Sequence, residues 1–117
     1  MKPQIRNPQK AEVETSEITP TQLFAALSAE RRQYTLSYLS HKPAAVPLGD
    51  LAEYIALKED QPSYDWYQRI LVDLHHRHLP HLCDNGLVRY EADEELVELA
   101  VDRSVVAPYL RLADQAE

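Results

Sequence analysis

The chain has little of what marks membrane, secreted and disulfide-bonded proteins. It contains one cysteine, Cys83, which cannot form a disulfide within the chain and is compatible with a reducing compartment. No apolar run approaches the ~20 residues that a helix needs to cross a bilayer. The N-terminal stretch MKPQIRNPQKAEVETSE lacks the apolar segment of a signal peptide. The sequence therefore predicts a cytoplasmic protein without a membrane partner.

Several catalytic and cofactor motifs are also missing. The two glycines form no glycine-rich phosphate loop, and CxxC, HExxH and internal repeats are absent. Acidic residues outnumber basic ones by 19 to 12, which gives a net charge of -7 and a pI near 5.2. That balance argues against a protein that coats nucleic acid non-specifically, but it allows a local basic patch. An acidic surface of this kind also fits adaptation to high internal salt. We expect no enzymatic activity and no cofactor.

What the chain does contain is a series of short amphipathic segments. Residues 1–18 are polar and aperiodic, which predicts a disordered tail. Thr19 and Gln22 form a capping signal for a first helix. Ser28 is the expected N-cap of a second helix, which contains AERRQYTLSYLSH. The first half of the folded chain is therefore expected to begin with two helices.

The middle of the chain predicts a short strand and two further helices. HKPAAVP breaks the helical pattern, and residues 44–46 within it are expected to form a very short strand. LGDLAEYIALKED follows as a third helix. The longest helix is expected over residues 64–85, capped by Ser63. Pro80 lies inside that helix, so we expect a kink at residues 76–79.

The C-terminal third predicts a hairpin and a last helix. Gly86 is a natural left-handed stop for the long helix. LVRYEADEELVELAV then alternates as a β-hairpin, with strands at 87–90 and 96–101 around an acidic loop. The last helix is expected to begin near Ser104, with Pro108 in its first turn.

The order of these elements predicts the fold. Two helices, a short strand, two helices, a hairpin and a helix follow one another, as in a winged helix-turn-helix. We therefore predict a mainly α fold with a small β-hairpin. A winged helix-turn-helix domain would occupy residues 19–102, with the long helix as recognition helix and the hairpin as wing. A C-terminal helix would occupy residues 103–117.

Three stretches also resemble a known family. LFAALSAERRQYTLSYL, PLGDLAEYIA and LHHRHLPHLCDNGLVRY are similar to those of small haloarchaeal winged helix-turn-helix domains, most specifically in HxHLPxL. The resemblance covers residues 21–101. It implies a DNA-binding transcriptional regulator from a halophilic archaeon with an acidic proteome.

A cluster of histidines lies at the end of the long helix. A metal could be bound by His75 and His78 at i and i+3, with His81 or Cys83 as a third ligand, which would make the protein a metal- or redox-responsive regulator. A thiol and an imidazole base would be the catalytic interpretation of Cys83. His78, however, falls on the face of the long helix that carries its apolar residues. We therefore favour a partly buried histidine bonded to a backbone carbonyl, a core role for Cys83, and no bound metal.

The outward side of the long helix carries residues that suit DNA. In a winged helix-turn-helix this side enters the major groove, where arginine reads guanine and glutamine reads adenine. The expected base contacts are Gln68, Arg69, His76 and Arg77. The expected phosphate contacts are Arg31, Arg32, Lys42 and Arg89. The alternative is a solvated helix face, and Trp66 is expected in the core rather than as a platform for bases.

The last helix is too apolar for a solvated tail. The apolar residues of this helix are Val105, Val106, Tyr109, Leu110 and Leu112. They are expected either to cover the first helix or to contact a second subunit. A twofold dimer would supply two half-sites. We therefore predict a homodimeric, sequence-specific regulator that binds double-stranded DNA. The main alternative is a protein-interaction module that uses the same scaffold without DNA binding, which the acidic charge favours.

Overall fold

The computed structural model describes residues 18–115 of the 117-residue chain. The helices are α1 (Pro20–Ala26), α2 (Glu30–Ser40), α3 (Leu48–Lys58), α4 (Tyr64–Asp73), α5 (Leu79–Asp84) and α6 (Arg103–Gln115). The strands are β1 (Val46–Pro47), β2 (Val88–Glu91) and β3 (Leu96–Leu99). The prediction of a mainly α fold with a small β-hairpin is confirmed. The predicted disordered tail lies outside the described residues, except for Ile18, which packs against the core.

The sheet is antiparallel and joins the hairpin to the segment before α3. Its strand order is β1-β3-β2, with Val46 opposite Val97 and Pro47 opposite Leu96. The backbone N–H of Leu48 also donates to the carbonyl of Glu95 at 2.8 Å. The short strand expected at 44–46 is therefore found at 46–47, because pairing with β3 rather than local sequence sets its position.

The core lies where α2, α3, α4 and the sheet meet. Leucine and isoleucine side chains supply its centre, and among the fully buried ones are Leu36, Leu51, Ile55, Ile70 and Leu74. The buried face of α3 consists of Leu48, Leu51, Ala52, Ile55 and Ala56. Each buried leucine or isoleucine side chain contributes roughly 1.5–3 kcal/mol by leaving water. This packing holds α4 against α3 and leaves the opposite side of α4 exposed.

The helix caps follow the sequence in two places and depart from it in one. The Thr19 hydroxyl accepts from the Gln22 N–H at 3.1 Å, and Gln22 Oε1 accepts from the Thr19 N–H at 2.9 Å. Ser63 caps α4 through the Trp66 N–H at 3.1 Å. The expected cap at Ser28 is wrong, because α2 begins after Ala29 and the Ser28 hydroxyl donates to the Ala25 carbonyl at 2.7 Å. That hydroxyl therefore caps the C-terminal end of α1 rather than the N-terminal end of α2.

The disruption expected around Pro80 takes the form of a π-helical turn. Leu74–His78 joins α4 to α5, and the Leu79 N–H donates to the Leu74 carbonyl five residues earlier. Pro80 then lies in the first turn of α5, directly after the π turn. A π turn inserts one extra residue into the helix. The side chains that follow it are therefore rotated relative to the faces of α4.

Helix α6 packs on its own chain. Val106 is fully buried, and the rings of Phe24 and Tyr109 meet edge to face with centroids 5.2 Å apart. This apolar face packs mainly on α2 and also covers the first helix, although Leu112 remains 54% exposed. Val106 belongs to the core and is not available to a second subunit. Pro108 lies inside α6 rather than in its first turn, because the helix begins at Arg103.

Within residues 18–115, none of the helices is long and apolar enough to cross a bilayer.

Replacing Gly86 with alanine should lower the free energy of unfolding by about 1–2 kcal/mol. Gly86 has a φ of 74°, in the left-handed region, and a Cβ there would meet no atom within 4 Å. The cost is therefore one of backbone conformation alone. Asparagine tolerates this region better, so Gly86→Asn should lose less stability in urea unfolding. An asparagine variant as unstable as the alanine variant would contradict this explanation.

Candidate functional site

An open groove runs along the outward side of α4 and the π turn. Its lining includes all four residues predicted to contact bases, Gln68, Arg69, His76 and Arg77. The side chains of Arg69 and Arg77 are 66% and 70% exposed. The fold therefore brings these residues onto one accessible surface, called here the outward groove.

The polar side chains of the outward groove are held only by weak local contacts. Gln68 Nε2 donates to the Tyr64 hydroxyl at 2.8 Å. Arg69 pairs with Asp65 at 3.2 Å, and Arg77 pairs with Asp73 at 3.4 Å, each within one helical turn. The Arg69–Asp65 pair is exposed on both sides, and exposed pairs of this spacing contribute about 0.3–0.5 kcal/mol. A ligand can therefore recruit these side chains at little cost.

Beneath the outward groove lies an ionic network centred on Asp73. Arg31 donates from Nη1 to Asp73 Oδ2 at 2.8 Å, and from Nε and Nη2 to the two carboxylate oxygens of Glu59 at 2.7 and 2.9 Å. Trp66 Nε1 donates to Glu59 at 2.8 Å. The hydrogen bonds from Arg31 hold the pKa of Glu59 below its usual range. We call this set of residues, together with His78, the Asp73 network.

The Asp73 network removes Arg31 from the expected phosphate contacts. Its guanidinium is committed to two carboxylates on α4 and at the end of α3, and its side chain is 20% exposed. Trp66 is half-buried, with the guanidinium of Arg31 5.9 Å and that of Arg69 5.6 Å from its ring centroid. Its ring packs against the core, as expected, but its edge reaches the outward groove.

His78 completes the Asp73 network from the π turn. Arg32 Nη1 lies 3.1 Å from His78 Nδ1, and His78 Nε2 lies 2.9 Å from Asp73 Oδ2. A guanidinium can only donate, so Nδ1 accepts and the ring proton is on Nε2, which donates to Asp73. Burial lowers the pKa of this histidine despite the nearby carboxylate. His78 is buried, as expected, but its partners are a carboxylate and a guanidinium rather than a backbone carbonyl. These two partners fix a single neutral tautomer of the ring.

Arg32 is also structural rather than a phosphate contact. Besides His78, its guanidinium donates to the carbonyls of Ala26 at 2.8 Å and Ala25 at 3.0 Å. These carbonyls belong to the last turn of α1, where helical partners are missing. The arginine thus satisfies the end of one helix and orients a histidine on another.

Two of the expected phosphate contacts stay accessible. Lys42 is exposed, with its ammonium 4.7 Å from the Tyr38 ring centroid. Arg89 lies on β2 and pairs with Glu98 of β3 at 3.1 Å. Four exposed carboxylates surround the hairpin tip, from Glu91, Asp93, Glu94 and Glu95. The tip is therefore acidic, and Arg89 is the basic residue of the two paired strands.

The histidine and cysteine cluster does not converge. His75 is exposed, with its ring 5.0 Å from His76 and 6.3 Å from Tyr90, whereas both nitrogens of His78 are already engaged. Burial raises the pKa of the Cys83 thiol, which makes it a poorer nucleophile at neutral pH. Within residues 18–115, no three His, Cys, Asp or Glu side chains are grouped as a metal ion would require.

Together these features define a mainly α domain with a three-stranded antiparallel sheet and a polar groove on the helix that precedes the hairpin. Residues 24–98 match the family described as "Domain of unknown function (DUF7344)". Because the match spans more than half of the chain, the protein belongs to that family. The matched segment includes the outward groove and the Asp73 network, and it ends before α6. No curated protein and no solved structure matches the chain.

The protein should lose stability as the pH falls below about 6.5, the ordinary pKa of histidine. Since the folded state holds His78 neutral with a lowered pKa, the unfolded state binds more protons in this range. The contribution of His78 to stability is therefore complete above about pH 6.5 and declines as the pH falls below it. The lowered pKa values of Glu59 and Asp73 act at lower pH, once it nears their ordinary values of 4.5 and 3.8. The measurement is the free energy of unfolding in urea between about pH 5 and pH 8.

The His78→Gln variant keeps an acceptor for Arg32 and a donor for Asp73 but does not titrate. It should show a shallower loss of stability below pH 6.5, and the slope that remains would report His81, whose pKa burial also lowers. His76→Gln makes the same substitution at an exposed histidine outside the Asp73 network and serves as the matched comparison. Equal slopes in the His78→Gln variant and the original would refute a neutral, buried His78.

Proposed function

We propose that the protein is a sequence-specific regulator that binds double-stranded DNA through a winged helix-turn-helix. In this proposal α4, the π turn and α5 form the recognition helix, and β2 and β3 form the wing. The order of the elements and the pairing of β1 with the hairpin support it. In this proposal the protein acts in the cytoplasm, and its acidic composition suits a cytoplasm with a high salt concentration.

The observation that carries the proposal is that four polar side chains lie together in the outward groove. Gln68, Arg69, His76 and Arg77 share one accessible helix face, and each is of a type that hydrogen-bonds base edges in the major groove. Their present partners are local and weak, so they are free to exchange them for bases. No comparable set of base-reading side chains is brought together on the hairpin.

The charge distribution indicates how such binding would work. Asp73 is already satisfied by Arg31 and His78, so Asp65 is the main carboxylate within reach of the groove. Lys42 and Arg89 are the two remaining phosphate contacts of the predicted set. Affinity would therefore depend on base contacts more than on phosphates, which suits a protein of net charge -7.

A homodimer is part of the proposal. Phe24 and Leu112 are each more than half exposed, on the two helices α1 and α6 that pack together. With the exposed parts of Val105, Tyr109 and Leu110, they offer an apolar surface to a second copy. Two copies would present two recognition helices to a palindromic site.

A protein-interaction module is the second candidate. It is favoured by the four carboxylates at the hairpin tip, which would repel phosphate. It is also favoured by an apolar depression between α3 and α4, lined in part by Leu57, Pro62, Tyr64 and Tyr67. A basic protein partner would suit the hairpin tip better than DNA would.

Selection from a random duplex DNA pool, from low salt to molar KCl, should enrich one motif, and a palindrome would indicate the dimer. Arg69→Ala and Arg77→Ala should each cost about 1–3 kcal/mol of binding free energy on the enriched site. Arg111→Ala removes the same charge from the exposed surface of α6 and should leave affinity unchanged.

With two phosphate contacts per protomer, the slope of log K against log salt should be about -2 for each half-site.

Two results would reject DNA reading. One is a lack of enrichment at every salt concentration with a folded protein, which would favour the interaction module. The other is equal weakening by Arg111→Ala, which would indicate that net charge rather than the outward groove governs binding.

A further inference from the structure

Val72 is an exposed apolar residue in the outward groove. Its side chain is 58% exposed, and among residues 18–115 it is the one large hydrophobic with such exposure that lines this groove. Valine is also a poor choice for an exposed helix position, because its branched Cβ loses rotamer freedom there. Neither core packing nor helix propensity accounts for it.

The neighbours of Val72 are the residues expected to read bases. Val72 follows Arg69 by three residues and precedes His76 by four, and all three line the groove. Arg69 and His76 can donate hydrogen bonds to base acceptors. Between them, Val72 offers only methyl groups, so whatever faces it must also be apolar to avoid an unsatisfied polar group.

We propose that Val72 is a specificity-determining residue that contacts the C5-methyl group of a thymine. This inference rests on the proposed function and names one base of its target. In the major groove, the thymine methyl is the apolar group that distinguishes T·A from the other base pairs. A cytosine or adenine at that position would place its amino group against Val72. That amino group would then have no hydrogen-bond partner.

The helix geometry also limits where this thymine lies. Three residues of helix advance by roughly 4.5 Å, whereas successive base pairs are about 3.4 Å apart. The thymine should therefore lie within about two base pairs of the base that Arg69 contacts. That base is identified by the position at which Arg69→Ala relaxes the selected motif.

The test is a double-mutant cycle between the protein and the DNA. Each thymine of the selected site is replaced in turn by uracil, which removes only the methyl group, and the Kd is measured for the original protein and for Val72→Ala. At one thymine, uracil should weaken binding by the original protein about fourfold, the factor expected for one buried methyl. The Val72→Ala protein should not discriminate thymine from uracil there. Leu57→Ala truncates an exposed apolar residue of α3 that lies outside both the outward groove and the proposed dimer surface, and it should retain the full discrimination.

Each outcome decides the inference. A selected site in which Val72→Ala leaves every thymine-to-uracil effect unchanged would overturn it while leaving DNA reading intact. A coupled thymine far from the position read by Arg69 would also overturn it. If no site is selected at all, the inference fails together with the proposed function. Melting curves show whether the variants are folded, which is expected because Val72 is exposed.

Discussion

The carboxylate of Asp73 is the point on which the arrangement of the helices depends. It accepts from Arg31 on α2 and from His78 on the π turn, and it lies 3.4 Å from Arg77. Arg31 in turn binds Glu59 just beyond α3, so the ends of three helices are joined through one chain of charged groups. Apolar packing alone would tolerate small rotations of α4 over α3. A partly buried ionic network does not, because each displaced partner would leave a charge unpaired.

The same network determines how much of the basic charge is left for a ligand. Arg31 and Arg32 are used inside the protein, one for two carboxylates and the other for helix carbonyls and a histidine. What stays accessible in the outward groove is a small set of polar side chains together with Val72. For the DNA-binding function proposed above, this means that base contacts rather than phosphate contacts would supply the affinity.

Local sequence signals predicted most of the fold. The capping pair at Thr19, the cap at Ser63 and the left-handed stop at Gly86 depend on a few neighbouring residues, and each was found where expected. The error at Ser28 occurs where two local outcomes compete, because this residue can cap α2 or close α1. At Pro80 a disruption of the helix was expected, but the sequence did not specify that it would be a π turn. The sequence pattern also placed the four candidate base contacts on the outward side, because helical periodicity separates them from the apolar stripe.

By itself, then, the sequence determined the type and order of the elements and the set of side chains that face outward, since these depend on contacts within one or two helical turns. The tertiary structure alone decided what Arg31, Arg32, His78 and Val106 do. The partners of Arg31 and Arg32 in the Asp73 network lie 28 to 46 residues away along the chain. Val106 is buried only because α6 folds back on α2. An isolated arginine looks the same in the sequence whether it binds phosphate or a carboxylate, and only the folded chain shows which partner is within reach.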